Sequence, residues 1–168
     1  MLLLLREARR DELPSLSDLC LRSKAVWGYD SAFLEACRRE LTLKAEELDT
    51  TKVVVAEDSK GVAGMVQIRV IRKQVDLLKL FVEPHMLRKG IGRQLFAWAV
   101  EQARSMGARR LLIESDTEAA PFYRRMGARD VGVVASGSIP GRLLPRLAYE
   151  LSDFGARRRS GSAVPGTF

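Results

Sequence analysis

The sequence predicts a mixed α/β fold in a single domain. Short apolar stretches typical of strands are separated by segments in which apolar residues recur at the spacing of amphipathic helices. At 168 residues the chain can bury one core, and its 46% apolar and 29% charged residues are typical of soluble globular proteins. No apolar run approaches the roughly 20 residues that a membrane-spanning helix needs. The sequence therefore predicts no interaction with a membrane.

The first third of the chain predicts one strand, two helices and a hairpin. Met1 to Leu5 is apolar, has no basic region before it, and is interpreted as a strand rather than a signal peptide. Asp11 is a candidate N-cap for a helix that runs to about Lys24, and Asp30 or Ser31 can begin a second helix. The stretches TKVVVAED and VAGMVQIRVI, joined by SKG, then predict two paired strands.

The remainder of the chain is organised around a long helix. QVDLLKLFV predicts a strand that Pro84 ends, because proline cannot donate to a sheet ladder. The helix is expected to begin near Ile91 and to end at Gly107, a favourable residue for the C-terminal turn. Its predicted buried side consists of Ile91, Leu95, Trp98, Ala99 and Met106. RRLLIES, ARDVGVVA and LLPRLAYEL then predict strands, TEAAPFYRRMG a short helix and SGSIPGR a loop.

Cysteine usage and net charge narrow the classes of function. Cys20 and Cys37 are the only cysteines, and without a CxxC or histidines at ligand spacing they predict neither a disulfide framework nor a metal site. Both are expected to be buried thiols of a cytoplasmic protein. Of the net charge of +7, three units come from the arginines at 157–159, which leaves +4 for the body. That excess suits a small anionic ligand at least as well as a polyanion, and the alternative is that the surface cations serve only solubility. No nucleic acid is predicted as a partner.

The segment RKGIGR at the start of the long helix predicts an anion site. Arg88, Lys89 and Arg93 surround two glycines at the end of the helix where the dipole is already positive, so a bound phosphate would stabilise the arrangement. Glycine also lets the backbone approach an anion and direct successive N–H groups at it. The alternative is a solvated basic helix start in which the glycines serve only a tight turn.

Other phosphate motifs fit this segment less well. The Walker pattern GxxxxGK[ST] is absent. Glu114 and Asp116 follow the glycines by about 20 residues, where a dinucleotide fingerprint places its ribose-binding acid. Against that fingerprint, Leu95 occupies the third glycine position, and seven residues separate the preceding strand from Gly90.

The order of these segments resembles the Gcn5-related N-acetyltransferase (GNAT) superfamily over nearly the whole chain, to about Leu151. LRKGIG, Leu87 to Gly92, matches the family's acetyl-CoA motif [QR]xxGx[GA] except at Leu87, and APFYRRMGAR follows the next strand as in the family. The resemblance implies a GNAT-type acyl-CoA N-acyltransferase fold, with a mixed, mostly antiparallel central sheet flanked by helices. It also implies direct transfer of an acetyl group from acetyl-CoA to an amine of a small molecule or a protein.

The resemblance further implies a donor site and a general acid. Its donor-site residues are Leu80, Phe81, Val82, Leu87, Arg88, Lys89, Gly90, Ile91, Gly92, Arg93 and Glu118. The backbone of the first three is implied to pair with pantetheine and polarise the thioester, and the amides from Arg88 to Arg93 to hold the pyrophosphate. Glu118 stands near the place of a pantetheine-binding Asn of many relatives. Tyr123 matches the tyrosine that protonates the departing thiolate, and the alternative is that it only packs.

An amine acceptor must lose a proton before it attacks the thioester, and the sequence offers few bases. Glu83, after the fourth strand, lies at the mouth of the expected site and is the predicted base, with a solvated strand-end acid as the alternative. His85, the only histidine, lies in the same loop and is a second candidate. Trp27, Tyr29 and Arg142 are predicted to contact the substrate, because in relatives their segments cap the acceptor pocket. Core aromatics and an exposed arginine are the alternatives.

We therefore predict an acetyltransferase domain at residues 1–152, followed by a basic, disordered tail at 153–168. The rival interpretation is a CoA-binding or partner-binding module that has kept the fold and lost catalysis, which the departures at Leu87 and Glu118 favour. Homodimers are common in the superfamily, but a single sequence does not show an interface.

Overall fold

The computed structural model describes residues 2–151, so the predicted tail lies outside the described residues. Its helices are α1 (Leu13–Ala25), α2 (Ser31–Leu41), α3 (Glu47–Thr50), α4 (Ile91–Ser105) and α5 (Ala120–Arg125). Its strands are β1 (Leu4–Glu7), β2 (Lys52–Asp58), β3 (Gly61–Ile71), β4 (Gln74–Val82), β5 (Arg110–Glu114), β6 (Arg129–Ala135) and β7 (Leu143–Glu150). None of the helices in this range is both long and apolar enough to cross a membrane.

The seven strands form one sheet in the order β1-β2-β3-β4-β5-β7-β6. Only β4 and β5 are parallel neighbours, and α4 provides the crossover that a parallel connection requires. The other pairs are antiparallel. The predicted fold, a mixed and mostly antiparallel sheet flanked by helices, is therefore confirmed.

Helices cover both faces of the sheet and bury a core on each. On one face, Ile91, Leu95 and Ala99 of α4 are at most 1% exposed and pack on β3, β4 and β5. On the other face, α1 and α2 pack against β2 and β3 and bury Cys20 and Cys37. Both cysteines are free thiols in this core, as expected from the sequence.

Three local predictions differ from the structure. The first strand is Leu4–Glu7 rather than Met1 to Leu5, since its pairing with β2 begins at Leu4 and Leu2 is exposed. The first helix does not begin at Asp11: residues 10–12 form a 3₁₀ turn, and α1 starts at Leu13, where the following proline needs no hydrogen-bond acceptor.

The prediction that Met106 lies on the buried side of the long helix is wrong. Met106 is 41% exposed, because α4 ends at Ser105 and the chain then turns at Gly107, whose φ is +72°. The other predicted members of that side are buried or half-buried. The short helix α3 was not predicted, because four residues carry no periodic pattern.

Candidate functional site

The sheet is open between β4 and β5. Only Val75, Asp76 and Leu77 of β4 pair with β5, whereas β4 continues to Val82. Beyond Leu77, the strand is paired on one side only among the described strands, with β3. An unpaired strand edge in the middle of a sheet offers backbone donors and acceptors to an extended ligand.

A β-bulge marks the start of the open stretch. Leu77 pairs with Ile68 and Lys79 pairs with Gln67, so Leu78 has no partner on β3. Because a bulge interrupts the alternation of side chains, Leu78 and Lys79 both face the side of the sheet covered by α1 and α2, where they line one cavity.

The pairing with β3 determines which backbone groups of β4 are available. The N–H of Glu83 donates to the carbonyl of Ala63 at 2.8 Å. Since alternate residues of an antiparallel strand direct their backbone groups the same way, those of Phe81 also point to β3. The N–H and C=O groups of Leu80 and Val82 consequently point to the open edge, and the side chain of Phe81 lines the cavity.

The glycine turn presents a row of free amides beside this edge. Arg88 and Gly90 adopt left-handed backbone conformations, with φ of +64° and +81°, and α4 begins directly after them. None of the six backbone N–H groups at 88–93 donates to an acceptor in residues 2–151. Arg88, Lys89 and Arg93 likewise form no ion pair within that range. The turn therefore has both the backbone donors and the positive charge for an anion.

Contacts bring the turn, β4 and α5 together. A Cβ added to Gly92 would lie 3.4 Å from the ring of Phe122 and 3.8 Å from the side chain of Leu80. Tyr123 follows Phe122 on α5, is 5% exposed, and packs against Phe96 with a centroid distance of 5.8 Å. Burial raises the pKa of the Tyr123 phenol, so the hydroxyl keeps its proton well above neutral pH. Leu87, at the first position of the motif, is 40% exposed.

Gly64 of β3 supports the same region and was missed by the sequence analysis. A Cβ at this position would lie 2.9 Å from the carbonyl oxygen of Phe81, 3.1 Å from Leu95 and 3.2 Å from Ile91. The missing side chain therefore allows α4 to lie directly on β3 and β4. One glycine in a strand pattern gave no signal that could separate this role from that of an ordinary strand residue.

A cavity of about 720 Å³ lies over the open part of the sheet, on the face opposite α4. Its floor is formed by β3, β4, β5 and β7, and its walls by α1, α2, α3 and the loop before β7. The charged side chains that line it are Lys24, Glu40, Glu47, Arg69, Asp76, Lys79, Glu114, Asp116 and Arg146. Its volume is enough for a small polar molecule, and residues of β4 form part of its lining.

The carboxylates near this cavity differ in how they are bound. Both oxygens of Glu83 accept hydrogen bonds from Arg22 of α1, and Glu83 does not line the cavity. Glu114 is the last residue of β5, where β5 separates from β4, and its side chain has no hydrogen bond or ion pair to residues 2–151. His85 is exposed and also has no hydrogen bond in that range.

Asp116 joins three segments at the end of β5. Its carboxylate accepts hydrogen bonds at 2.8 Å from Lys24 and from the hydroxyl of Tyr29, and lies 3.5 Å from Arg142. Arg142 also donates to the Tyr29 hydroxyl at 2.9 Å. Burial raises the pKa of Tyr29 to about 12, with a further contribution from its bond to Asp116. For Asp116, burial acts to raise the pKa, but the bonds from Lys24 and the Glu118 amide outweigh it and lower the pKa.

Comparison with known proteins decides the family. A family model described as an acetyltransferase (GNAT) domain matches residues 14–136, which is more than half of the chain. The chain belongs to the GNAT acetyltransferase family. A search of curated proteins found no match.

Solved GNAT structures share the fold over nearly the whole chain. The PaiA N-acetyltransferase from Thermoplasma acidophilum, in complex with coenzyme A, is 17% identical with a TM-score of 0.74, covering 90% of this chain and 100% of its own. The ribosomal-protein-S18-alanine N-acetyltransferase from Escherichia coli is 17% identical with a TM-score of 0.67, covering 92% and 97%. An aminoglycoside 6′-N-acetyltransferase complexed with coenzyme A is 18% identical with a TM-score of 0.66, covering 88% and 96%. The GNAT family assignment makes this chain an acyltransferase.

The structure brings together some predicted GNAT site residues and separates others. Tyr29 and Arg142 meet at Asp116 and form, together with Lys24, the Asp116 cluster. Trp27 is 46% exposed and has no side-chain hydrogen bond in residues 2–151. The amide of Glu118 donates to Asp116 at 2.9 Å, and its side chain is exposed. From the sequence, Glu114 and Asp116 were candidates only for the ribose-binding acid of a dinucleotide fingerprint, because the segments that form their cavity are far apart in the chain.

Proposed function

We propose that this GNAT protein transfers the acetyl group of acetyl-CoA to a primary amine by direct attack in a ternary complex. The observation that carries the proposal is the open edge of β4 beside the six free amides at 88–93. The open strand edge matches an extended chain that contains amides, and the free amides of the turn match a pyrophosphate. Acetyl-CoA contains both of these groups.

The donor would be held mainly by the backbone of this chain. The amides at 88–93 would bind the pyrophosphate, with Arg88, Lys89 and Arg93 supplying charge for the phosphates. Leu87 removes a polar side chain from the motif without affecting these amides. Leu80 and Val82 would pair with the pantetheine, and a backbone N–H at this edge would polarise the thioester carbonyl. Phe81 would line the acceptor side, and Glu118 would lie beside the donor.

The acceptor amine would enter from the cavity and lose a proton to Glu114. Glu114 is favoured over Glu83 as the base. Its carboxylate lines the cavity where β4 and β5 separate, whereas the carboxylate of Glu83 is bound by Arg22. The nitrogen would then attack the carbonyl carbon, and the oxyanion that forms would be stabilised by the β4 backbone. The C–S bond would break as the carbonyl reforms, and the electron pair would leave with the sulfur.

Tyr123 would donate its proton to that sulfur. Its burial keeps the phenol protonated, which suits a group that must act as an acid and not as a base. Trp27, Tyr29 and Arg142 would shape the outer part of the acceptor site, and the Asp116 cluster would fix the latter two in place. The acceptor would be a small molecule or a peptide amine, and the two free, buried cysteines suit a cytoplasmic location.

The first experiment is calorimetric titration of the full chain with acetyl-CoA, with NAD as the control ligand. We expect micromolar binding of acetyl-CoA alone, followed by thiol release when an amine is added. Failure of acetyl-CoA to bind would overturn the proposed donor site, and binding without thiol release for any class of amine would leave a module that has lost catalysis.

Two glycine substitutions at opposite ends of α4 provide a matched comparison. Gly90→Ala and Gly107→Ala each place a side chain at a left-handed residue with free space around it, with φ of +81° and +72°, so both should lose roughly 1 kcal/mol of stability. Only Gly90→Ala should weaken acetyl-CoA binding. Equal effects of the two variants on binding would show that the turn acts only through stability.

A further inference from the structure

A row of polar side chains crosses the cavity floor at the level where β4 and β5 separate. Gln67 of β3 pairs directly with Lys79 of β4, and Glu114 of β5 pairs directly with Arg146 of β7. Because directly opposed residues of antiparallel strands share a face, all four side chains lie on the cavity side, where they line the cavity. From β7 to β3, the row consists of a cation, an anion, a cation and an amide: Arg146, Glu114, Lys79 and Gln67.

Among residues 2–151, the two cations of this row have no carboxylate partner. Elsewhere in the lining, Lys24 pairs with Asp116 at 2.8 Å and Arg69 pairs with Asp76 at 2.9 Å. Within residues 2–151, neither Lys79 nor Arg146 has a carboxylate oxygen within the 4.0 Å that defines an ion pair. The Nε of Arg146 is moreover buried and has no hydrogen-bond acceptor in the structure. Buried polar groups normally have hydrogen-bond partners, so the Arg146 guanidinium, which lines the cavity, has unused donor capacity.

A buried glutamine orients the ammonium of Lys79. Gln67 is 0% exposed, and its Nε2 donates to Glu47 at 2.8 Å and to the Thr51 hydroxyl at 3.0 Å. These two acceptors fix the amide orientation, so that Oε1 accepts from Lys79 Nζ at 3.2 Å. An ammonium has three donors, and one is used here, which leaves two for a ligand. Lys79 is therefore positioned by its neighbours and not merely solvated.

We propose that the acceptor is an amino-acid-like zwitterion, whose carboxylate binds Lys79 and Arg146 while its amine faces Glu114. This inference rests on the proposed function, since it names the substrate class of the same cavity. The order of charges on the floor complements such a molecule. When Lys79 and Arg146 bind the ligand carboxylate, a nearby amine of the ligand lies beside Glu114, which stands between the two cations. An amine without an acidic group would leave both cations unpaired when it displaced water from the floor.

The remaining carboxylates favour this class over a polycationic acceptor. Glu47 is engaged by Gln67, and Glu40 packs against Gly137 in the cavity wall, where an added Cβ would collide with its carboxylate. Neither residue belongs to the polar row where β4 and β5 separate, and this is where the reacting amine must reach the edge of β4. A diamine or polyamine is accordingly the competing outcome of the test.

The test compares amines that differ only in their acid group. The probes are the amino acids and β-alanine, each with its carboxamide, and a set of diamines and aminosugars. Thiol release is measured with the full chain and acetyl-CoA. We expect at least one carboxylate to exceed its carboxamide in kcat/KM by roughly 10- to 100-fold, the range for a hydrogen-bonded charge. In Lys79→Met and Arg146→Met this ratio should fall towards one, and Lys79→Arg should restore part of it.

The control variant is Lys60→Met, which removes an exposed lysine in the turn between β2 and β3 and should leave the ratio unchanged. Efficient acetylation of diamines or carboxamides, with carboxylates no better, would overturn the inference while leaving the proposed function intact. A ratio that survives both methionine substitutions would overturn the assignment of Lys79 and Arg146. Absence of thiol release with every class of amine would instead refute the proposed function, and this inference with it.

Discussion

Replacing Gly64 with alanine tests whether close packing of α4 on the sheet builds the donor site. The added Cβ would lie 2.9 Å from the carbonyl oxygen of Phe81, and 3.1 and 3.2 Å from Leu95 and Ile91. The nearest atom belongs to the backbone and cannot move alone, so relief requires β4 and α4 to move away from Gly64 on β3. Overpacking of this kind costs roughly 1 to 3 kcal/mol. For a domain of this size, that corresponds to a fall in Tm of roughly 2 to 12 °C.

The assay combines thermal unfolding with calorimetric titration of acetyl-CoA. Because Phe81 lies between Leu80 and Val82 on β4, and Ile91 lies within the turn at 88–93, a shift of these residues would disturb both parts of the proposed donor site. We therefore expect weaker binding together with the lower Tm. Gly92→Ala is the matched control for stability, since its Cβ would meet Phe122 at an ordinary 3.4 Å and alanine favours a helix. A Gly64→Ala protein with unchanged Tm and unchanged affinity would refute the packing argument.

Three further predictions concern catalysis and charge. Tyr123→Phe should lower kcat by roughly 100-fold while calorimetry shows unchanged affinity for acetyl-CoA, and equal loss of both, or no loss of kcat, would remove Tyr123 from the mechanism. Glu114→Gln should lower kcat/KM for the amine by roughly 100-fold in thiol release, and Glu83→Gln much less; the reverse ranking would assign the base to Glu83. Glu12→Gln should lower the free energy of unfolding at neutral pH by about 1 to 2 kcal/mol in urea titrations, because Arg6 holds the pKa of Glu12 at about 2, below the usual 4.5. This difference should be complete above about pH 4.5 and disappear as the pH falls towards 2, and a gap that does not change with pH would contradict it.

The elements and the turn could be predicted because their signals are local. Pro84 and Gly107 mark the ends of a strand and a helix, because their backbones restrict what can follow. Asp30 caps α2 by accepting a hydrogen bond from the amide of Phe33, as its residue type suggests. The glycines and cations at 88–93 are adjacent in sequence, so the anion site proposed for them could be inferred without a fold. The misplaced first strand and Met106 are errors at element ends, where periodicity gives the weakest signal.

The arrangement of the proposed acceptor side could not be predicted, because it depends on pairings between distant segments. Whether Glu83 or Glu114 is free follows from Arg22, which lies 61 residues before Glu83. Arg142 reaches Tyr29 across 113 residues, and the bulge at Leu78 is defined only by the register of β4 on β3. Side-chain chemistry alone therefore identified candidate site residues but did not show which of them share a cavity.

The open stretch of β4 also affects how firmly the two parts of the sheet are joined. Strands β1 to β4 and strands β5 to β7 are joined within the ladder by three residue pairs, at Val75, Asp76 and Leu77. A donor that pairs with Leu80 and Val82 would continue the ladder where the protein leaves it incomplete. We then expect amide hydrogen exchange at these two residues to slow when the donor binds, together with exchange on both sides of the gap. The cosubstrate would then act as a temporary strand, and each turnover would close and reopen the sheet.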